Sequence, residues 1–260
     1  MSNVFRKLGR IFVASLPASE SLYAVCRLYV NRYNSENDGD MRANGELRFI
    51  QNALPKCATI FDIGANVGDW SKLALEINPK IDLHCFEPSA PTFAMLKRNN
   101  FPPTVICNNF GLGSGPGEMQ LHLSDNGSGT NSLYQRQGVD EAIGSQSRTE
   151  TIRLESVDRY CSEHKIASID FMKMDVEGHE LEVLKGASDL LKSRRIRIIQ
   201  FEYGGCNIDS RVLLKDIWNI FSGLNYSFFK IYPKELRKFN EYRQTLENFQ
   251  YQNWTIIRND

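Results

Sequence analysis

Short apolar runs alternate with longer amphipathic stretches along the chain from residue 59 onward. β-branched and aromatic residues dominate five of the short runs, which is typical of buried strands. The predicted strands are residues 59–63, 81–86, 104–107, 169–174 and 195–201, and the predicted intervening helices are 70–77, 91–99 and 177–192. Parallel strands need crossover connections, so this pattern predicts an α/β domain with a doubly wound sheet that helices cover on both faces.

Two regions depart from this alternation. Residues 118–123 follow a glycine-rich turn and predict an extra strand. Residues 124–148 are polar and lack periodicity, which predicts a long loop of the kind that is usually functional or disordered. The aromatic-rich C-terminal region predicts two final strands, at 226–231 and 254–257.

Residues 1–52 show helical spacing with a polar break, which predicts an N-terminal helical cap ahead of one domain at residues 53–260. The first 33 residues of the cap are basic, with Arg6, Lys7, Arg10, Arg27 and Arg32 against Glu20 alone. Two interpretations stay open. The basic helix makes peripheral contact with an anionic membrane surface, or the helices pack on the main domain with their basic faces in water.

Charge and cysteine usage narrow the class of protein. The 260 residues contain 31 Lys and Arg and 31 Asp and Glu, so the net charge is zero, no overall electrostatic field attracts a polyanion, and a nucleic-acid partner is not expected.

The apolar run at residues 11–16 ends at Pro17, too short for a signal-peptide core or a membrane span. Six separated cysteines lack the paired spacing of a zinc site and predict reduced thiols in a cytoplasmic protein.

The sharpest local motif is DIGANVG at residues 62–68, where a predicted strand turns into a helix. Gly64 allows a tight turn, and Gly68 allows a ligand or strand to approach the helix N-terminus, whose free N–H groups face the ligand. Glu87 ends the second predicted strand, where doubly wound folds place a carboxylate that accepts hydrogen bonds from ribose hydroxyls. The motif predicts a ligand that contains a nucleoside.

The glycine pattern separates two such ligands. A dinucleotide site needs G-x-G-x-x-G to clear a pyrophosphate at the helix N-terminus. This chain instead has G-x-x-x-G, with Asp62 before the first glycine. A carboxylate there repels a pyrophosphate but suits an ammonium and a sulfonium group, so the cofactor expected is S-adenosylmethionine rather than NAD.

A second motif, IDFMKMDVEGHE, opens residues 169–187 and continues as an amphipathic helix. This segment resembles the signature of the FkbM-type methyltransferases. DIGANVG is similar to the cofactor loop of that family, and residues 86–88 are similar to the end of its second strand. Residues 127–133 resemble its small-residue loop, and residues 44–46 are a weaker match to an element of its carbohydrate-directed members.

The resemblance covers residues 59–202 and implies a class I methyltransferase with a Rossmann-like fold. That fold has a mostly parallel seven-stranded sheet with an antiparallel C-terminal strand. The resemblance further implies O-methylation of a small hydroxylated metabolite, here expected to be a sugar, a glycan or a glycolipid precursor in polysaccharide biosynthesis. The N-terminal and C-terminal regions match only loosely, and those regions choose the substrate.

The resemblance also assigns cofactor contacts. The loop after the first strand would line the methionine end, Glu87 would hold the ribose, residues 108–112 would lie near the adenine, and Asp175 would border both methyl donor and acceptor. The implied cofactor-binding residues are Asp62, Gly64, Ala65, Asn66, Gly68, Glu87, Asn109 and Asp175.

Methyl transfer from a sulfonium is an in-line displacement, so positioning of the acceptor supplies much of the rate and a base removes the hydroxyl proton. The catalytic candidates are Asp175, His179 and Glu202, at or just after the carboxyl ends of strands. Other readings stay open: His179 as a surface helix residue, Glu180 as a helix cap, and a divalent cation shared by Asp175 and Glu202.

Three other functions stay open at this stage. One is N-methylation of a small metabolite, which needs a neutral amine rather than a strong base. Another is a nicotinamide-dependent oxidoreductase, which the missing third glycine and Asp62 disfavour. The third is a binding module without catalysis, which the acidic residues at the strand ends disfavour.

Overall fold

A computed structural model of the chain describes residues 3–124, 129, 131–136, 146 and 148–260. The chain divides into two compact units, Met1–Glu36 and Asn37–Asp260. Most of the predicted loop at 124–148, including much of the small-residue motif at 127–133, lies outside the described residues.

The first unit contains two helices, α1 (Asn3–Ala14) and α2 (Glu20–Asn34). The Ser19 side chain caps α2 by accepting a hydrogen bond from the Leu22 N–H at 3.4 Å. Ser35 ends α2 in the left-handed conformation, with φ 55°. Within the described part of the chain, no helix combines the length and the hydropathy that crossing a bilayer requires.

The predicted cap of residues 1–52 is divided in the structure, because its last helices belong to the second unit. These are α3 (Met41–Asn44) and α4 (Glu46–Ala53). Phe49 and Ile50 of α4 are buried in one cluster with Ile60.

The second unit alternates strands and helices. Its strands are β1 (Thr59–Ile63), β2 (Asp82–Phe86), β3 (Val105–Asn108), β4 (Gly111–Leu112), β5 (Gly117–Leu123), β6 (Arg148–Glu155), β7 (Ile169–Met174), β8 (Ile196–Tyr203), β9 (Tyr226–Ile231), β10 (Leu236–Phe239) and β11 (Gln252–Arg258). Its remaining helices are α5 (Asp69–Ile77), α6 (Ala90–Lys97), α7 (Val157–Glu163), α8 (Glu180–Lys185), α9 (Ser188–Lys192), α10 (Cys206–Ser210) and α11 (Leu214–Ile220).

Eight of the described strands form one sheet in the order β10-β9-β11-β8-β7-β1-β2-β3. Neighbours from β8 to β3 are parallel, and β11 lies antiparallel between β8 and β9. This arrangement confirms the predicted class I fold, a mostly parallel seven-stranded sheet with an antiparallel C-terminal strand. The eighth strand, β10, pairs antiparallel with β9 at the edge and was not predicted.

A separate three-stranded sheet, in the order β4-β6-β5, stands beside the main sheet. Its strand β5 is the extra strand predicted at 118–123, and it pairs with β6 along seven residues. Strand β6 was not predicted, because its alternating polar residues follow directly on the polar segment.

The predicted helix at 177–192 is wrong in its extent. Glu177 and Gly178 have positive φ angles of 51° and 100°, so helix α8 starts only at Glu180. Helix α8 then ends at Gly186, where a Cβ atom would lie 1.9 Å from the backbone oxygen of Gly113. This close approach of two backbones separates α8 from α9.

The two faces of the main sheet bury two apolar clusters, as a doubly wound fold requires. Strand β1 alternates between them, with Ile60 in the cluster that includes α4 and Phe61 in the cluster that includes α8 and α11. Both faces of the parallel strands are therefore buried by packing. Side chains of these strands can reach solvent at the carboxyl ends.

Candidate active site

The loop after β1 is held by backbone contacts with both neighbouring strands. The N–H groups of Gly64 and Ala65 donate to the Phe86 carbonyl at 3.0 Å. Gly64 has φ 81°, and a Cβ atom there would lie 1.9 Å from the Asp175 carbonyl oxygen. Only glycine fits at this position, because the turn passes directly against the end of β7.

Gly68 serves packing between helices. It has φ 90°, and a Cβ atom there would lie 2.7 Å from Leu96 Cδ1 and 2.8 Å from Asn99 Nδ2. Asn99 also donates to the Val67 carbonyl at 2.7 Å. The end of α6 and the Asn99 side chain fill the space that a side chain at position 68 would occupy. The approach of a ligand or strand to this helix N-terminus stays a prediction.

Glu87 joins the loops that follow β1 and β2. Its Oε2 accepts a hydrogen bond from the Asn66 N–H at 3.0 Å, and its Oε1 accepts one from the Ser89 N–H at 2.9 Å. Burial raises the pKa of Glu87 to about 7, against the lowering effect of those two donors. Asn109 supports the same corner by donating to the carbonyl oxygens of Glu87 and Pro88.

A cleft lies at the carboxyl ends of β1 and β2, where ligands bind in sheets of this kind. One wall carries Gly64, Asn66, Glu87 and Asp175, four of the predicted cofactor residues. The opposite wall is apolar and comes from the small sheet, with Leu121, Ile152 and Leu154. Polar and apolar walls together suit a nucleoside joined to a charged amino-acid end.

The other predicted cofactor residues, Asp62, Ala65, Gly68 and Asn109, lie outside the described lining of the cleft. Asp62 is fully buried, and its Oδ2 accepts a hydrogen bond from the Ser71 hydroxyl at 2.6 Å. Its Oδ1 lies 3.7 Å from Lys173 Nζ. Asp62 therefore acts on the site through Lys173, a residue that the sequence analysis did not select.

Lys173 is a buried ammonium that links two strand ends. Its Nζ lies 3.2 Å from Asp175 Oδ2 in addition to its contact with Asp62. Burial lowers the pKa of Lys173, but the carboxylates of Asp175 and Asp62 outweigh burial and hold that pKa above its usual value. The Asp175 side chain remains 35% exposed, so its carboxylate is both oriented by Lys173 and open to the cleft.

The turn after Asp175 is rich in buried carboxyl groups. Glu177 accepts a hydrogen bond from Arg136 at 2.8 Å, and burial raises the pKa of Glu177 to about 8. Glu180 is buried and accepts a hydrogen bond from the Gly178 N–H at 3.2 Å, and burial raises its pKa to about 7. Glu180 thus accepts a hydrogen bond from a backbone N–H group just before α8, which agrees with its interpretation as a helix cap.

His179 lines the cleft, so its interpretation as a surface helix residue is wrong. It is 4% exposed, and its Nδ1 lies 3.0 Å from the Tyr134 hydroxyl. Burial lowers the pKa of His179 to about 4, so the ring is neutral at pH 7. A ring with that pKa is a weak acceptor for the proton of a hydroxyl group.

A second polar group lies further along the sheet, around Glu202. Its Oε1 accepts a hydrogen bond from the Tyr251 hydroxyl at 2.8 Å. Burial and the charge of Asp175 raise the pKa of Glu202 well above its usual value. Glu46, at the start of α4, accepts a hydrogen bond from Gln200 at 2.7 Å, and burial raises its pKa as well.

The structure offers no group of three or more His, Cys, Asp or Glu side chains arranged to hold a metal ion among the residues that it describes. The cation beside Asp175 is the Lys173 ammonium. All six cysteines are free thiols.

Comparison with known proteins assigns the family. A family model described as the methyltransferase FkbM domain matches residues 62–252, which is most of the chain. The chain belongs to the FkbM methyltransferase family. Its methyl donor is S-adenosylmethionine, which confirms the predicted cofactor and removes the nicotinamide alternative.

Two curated FkbM relatives show what similar proteins act on. The hexuronic acid methyltransferase AglP of Haloferax volcanii is 28% identical over 169 residues, which cover 64% of this chain and 65% of that protein. The 2-O-methyltransferase NoeI of Sinorhizobium fredii is 31% identical over 155 residues, which cover 55% of this chain and 62% of that protein. The chain therefore spans slightly less than two thirds of these relatives.

Solved structures give weaker similarity. A putative O-methyltransferase from Klebsiella pneumoniae aligns over 96% of each chain, at 9% identity and a TM-score of 0.46. At that level of similarity, the sheet order of this FkbM protein and the contacts of its cleft are the stronger guides to its chemistry.

Proposed function

We propose that this FkbM methyltransferase O-methylates a hydroxyl group of a sugar, a glycan or a glycolipid precursor, in the cytoplasm. The observation that carries the proposal is the Asp175 carboxylate, which is open to the cleft and oriented by Lys173. The name of the hexuronic acid methyltransferase supports a carbohydrate acceptor, and the name of the 2-O-methyltransferase supports transfer to an oxygen atom. Free thiols fit a reducing compartment.

The cleft residues fit the cofactor in charge and shape. Gly64 lets the turn pass directly against the end of β7, Asn66 and Glu87 line the cleft with polar groups, and the small sheet supplies an apolar wall for a base. Glu87 would hold the ribose, and Asp175 would border the transferred methyl group. When bound, S-adenosylmethionine supplies a methyl group on a sulfonium, which is displaced in line.

The chain's own contribution is to place the acceptor oxygen and to remove its proton. Asp175 accepts that proton in our proposal, because its carboxylate faces the cleft and the nearby Lys173 ammonium fixes its orientation. Glu202 and Tyr251 form a hydrogen-bonded pair on the same side of the sheet and position the acceptor. The weak basicity of His179 leads us to assign it to the wall of the cleft.

The test is a transfer assay with labelled S-adenosylmethionine against a panel of sugar nucleotides, glycans and small amines, read by mass spectrometry. We expect methyl groups on hydroxyl oxygens of at least one carbohydrate. Methylation of the amines alone would contradict the proposal in favour of N-methylation.

Asp175→Asn tests the role of the carboxylate. We expect kcat to fall about 10²–10⁴-fold because the base is lost, while affinity for S-adenosylhomocysteine by calorimetry stays within about threefold. Asp82→Asn, an exposed carboxyl at the amino end of β2, is the matched control and should keep full turnover. An unchanged kcat in Asp175→Asn would remove the assignment.

A further inference from the structure

Helix α1 has two faces of opposite character. Val4, Leu8, Ile11 and Phe12 recur at i, i+4, i+7 and i+8, which places them on one side of the helix. Each of these four side chains is between 59% and 67% exposed. Arg6 and Arg10 are exposed on the other side of the helix, Lys7 is exposed at the edge of the apolar face, and the helix contains no acidic residue.

Helix α2 exposes aromatic and aliphatic side chains of its own. Tyr23, Tyr29 and Tyr33 are 61%, 70% and 64% exposed, and the rings of Tyr29 and Tyr33 stack at 6.4 Å. Arg27 and Arg32 add two basic groups to the same helix. Tyrosine combines an apolar ring with a polar hydroxyl, which favours the boundary between lipid headgroups and acyl chains.

We propose that α1 and α2 form a docking surface for an anionic lipid bilayer. The apolar face of α1 enters the boundary between headgroups and acyl chains, and the basic side chains contact anionic headgroups. The tyrosines of α2 lie at headgroup level. This proposal rests on the first unit alone and stands whether or not the proposed methyl acceptor is correct.

The positive charge of the first unit favours an anionic bilayer over a second copy of the chain as its partner. The segment from Asn3 to Asn34 holds five basic residues and one acidic residue, whereas the whole chain is neutral. Two copies joined through their apolar faces would leave these basic residues without complementary charge. An anionic bilayer complements both the apolar and the basic face of α1, because each basic residue near its surface strengthens binding about fivefold.

Vesicle co-sedimentation of the full chain tests the proposal. We expect binding to vesicles of equimolar phosphatidylcholine and phosphatidylglycerol at roughly 0.1 M salt, and much weaker binding at about 1 M salt, where charges are screened. Pure phosphatidylcholine vesicles should bind far less protein. Equal binding to both vesicle types, or to neither, would overturn the proposal.

Paired variants separate the two contributions of α1. Arg6→Gln with Arg10→Gln should weaken binding to the anionic vesicles about 30-fold, since two basic residues are lost. Leu8→Gln with Ile11→Gln leaves the charge unchanged and should also reduce binding strongly. Lys80→Gln with Arg243→Gln removes the same charge from exposed sites elsewhere and should bind as the wild type does.

Circular dichroism and light scattering complete the test. All variants should keep the wild-type circular dichroism spectrum, because the replaced side chains are exposed. Unchanged vesicle binding in both α1 variants would overturn the proposal. So would light scattering that shows a dimer which the Leu8→Gln and Ile11→Gln pair converts to a monomer, since the apolar face would then be an interface between copies.

Discussion

We expect the affinity for the cofactor to depend on pH through Glu87, the proposed ribose-binding residue. The ionised carboxylate accepts hydrogen bonds from ribose hydroxyls better than the protonated acid does. With a pKa of about 7, the ionised fraction of Glu87 rises roughly tenfold between pH 6 and pH 8. We therefore expect affinity for S-adenosylhomocysteine to rise about tenfold over that range, or about 1.4 kcal/mol.

The raised pKa of Glu87 has the opposite effect on the stability of the ligand-free protein, which should fall as the pH rises. A carboxyl group whose pKa is raised on folding binds more protons in the folded state, so its contribution to stability is complete below about pH 4.5 and is lost as the pH rises through 7. A shift from 4.5 to about 7 corresponds to about 3 kcal/mol. Ligand affinity and unfolding free energy should therefore change in opposite directions with pH.

Isothermal calorimetry at pH 6, 7 and 8 measures the affinity, and urea denaturation measures the stability. In Glu87→Gln both slopes should flatten, because position 87 no longer titrates. Over pH 6–8 we expect loss of the affinity change of about 1.4 kcal/mol and of a stability change that is also about 1.4 kcal/mol. Glu118→Gln, at an exposed carboxyl on β5, should keep both wild-type slopes. The reasoning is refuted if the wild-type affinity is flat, or if Glu87→Gln keeps the wild-type slope.

Three further outcomes follow from the strand ends. Lys173→Met should lower the free energy of unfolding by about 3–5 kcal/mol, since Asp62 is left buried without its cation; a urea titration showing less than about 1 kcal/mol would contradict this. Gly64→Ala should lower the free energy of unfolding by at least about 3 kcal/mol, because its Cβ meets a backbone oxygen. Gly117→Ala is the control, because the space around Gly117 is open, and it should change the free energy of unfolding little in the same titration. Dialysis against EDTA should leave turnover in the transfer assay unchanged, because an ammonium already neutralises Asp175; activity restored by Mg²⁺ or Mn²⁺ would oppose that view.

The sequence predicted the parts of the site that short patterns encode. Strand β1 and the DIGANVG turn are adjacent along the chain, as are β7 and Asp175, so periodicity and spacing were sufficient to place them. Glu87 at the end of β2 followed from the general placement of ligands at the carboxyl ends of parallel strands.

Contacts between distant segments were beyond that reasoning. Lys173 meets Asp62 because β7 pairs with β1 in one register, which no local pattern specifies. Tyr251 reaches Glu202 only because β11 inserts beside β8. These residues could have been selected from the sequence only by assuming the sheet order and then pairing the strands.

The glycine pattern indicated where the backbone is unusual, but not which neighbouring atoms require a glycine there. The pattern indicated a special backbone at Gly68, and the structure shows a positive φ, yet the neighbouring atoms belong to Leu96 and Asn99 of the α6 region. At Gly186, which follows α8, a side chain is excluded by the backbone of Gly113, which lies 73 residues earlier in the chain.

Lys173 and Asp175 belong to a single extended segment, two positions apart and on one side of it. The cation that orients the Asp175 carboxylate therefore comes from the sheet scaffold and not from a surface loop. With Asp175 as the proposed base, we expect loops exchanged between relatives to alter acceptor recognition while this ion pair beside the methyl-transfer site is kept.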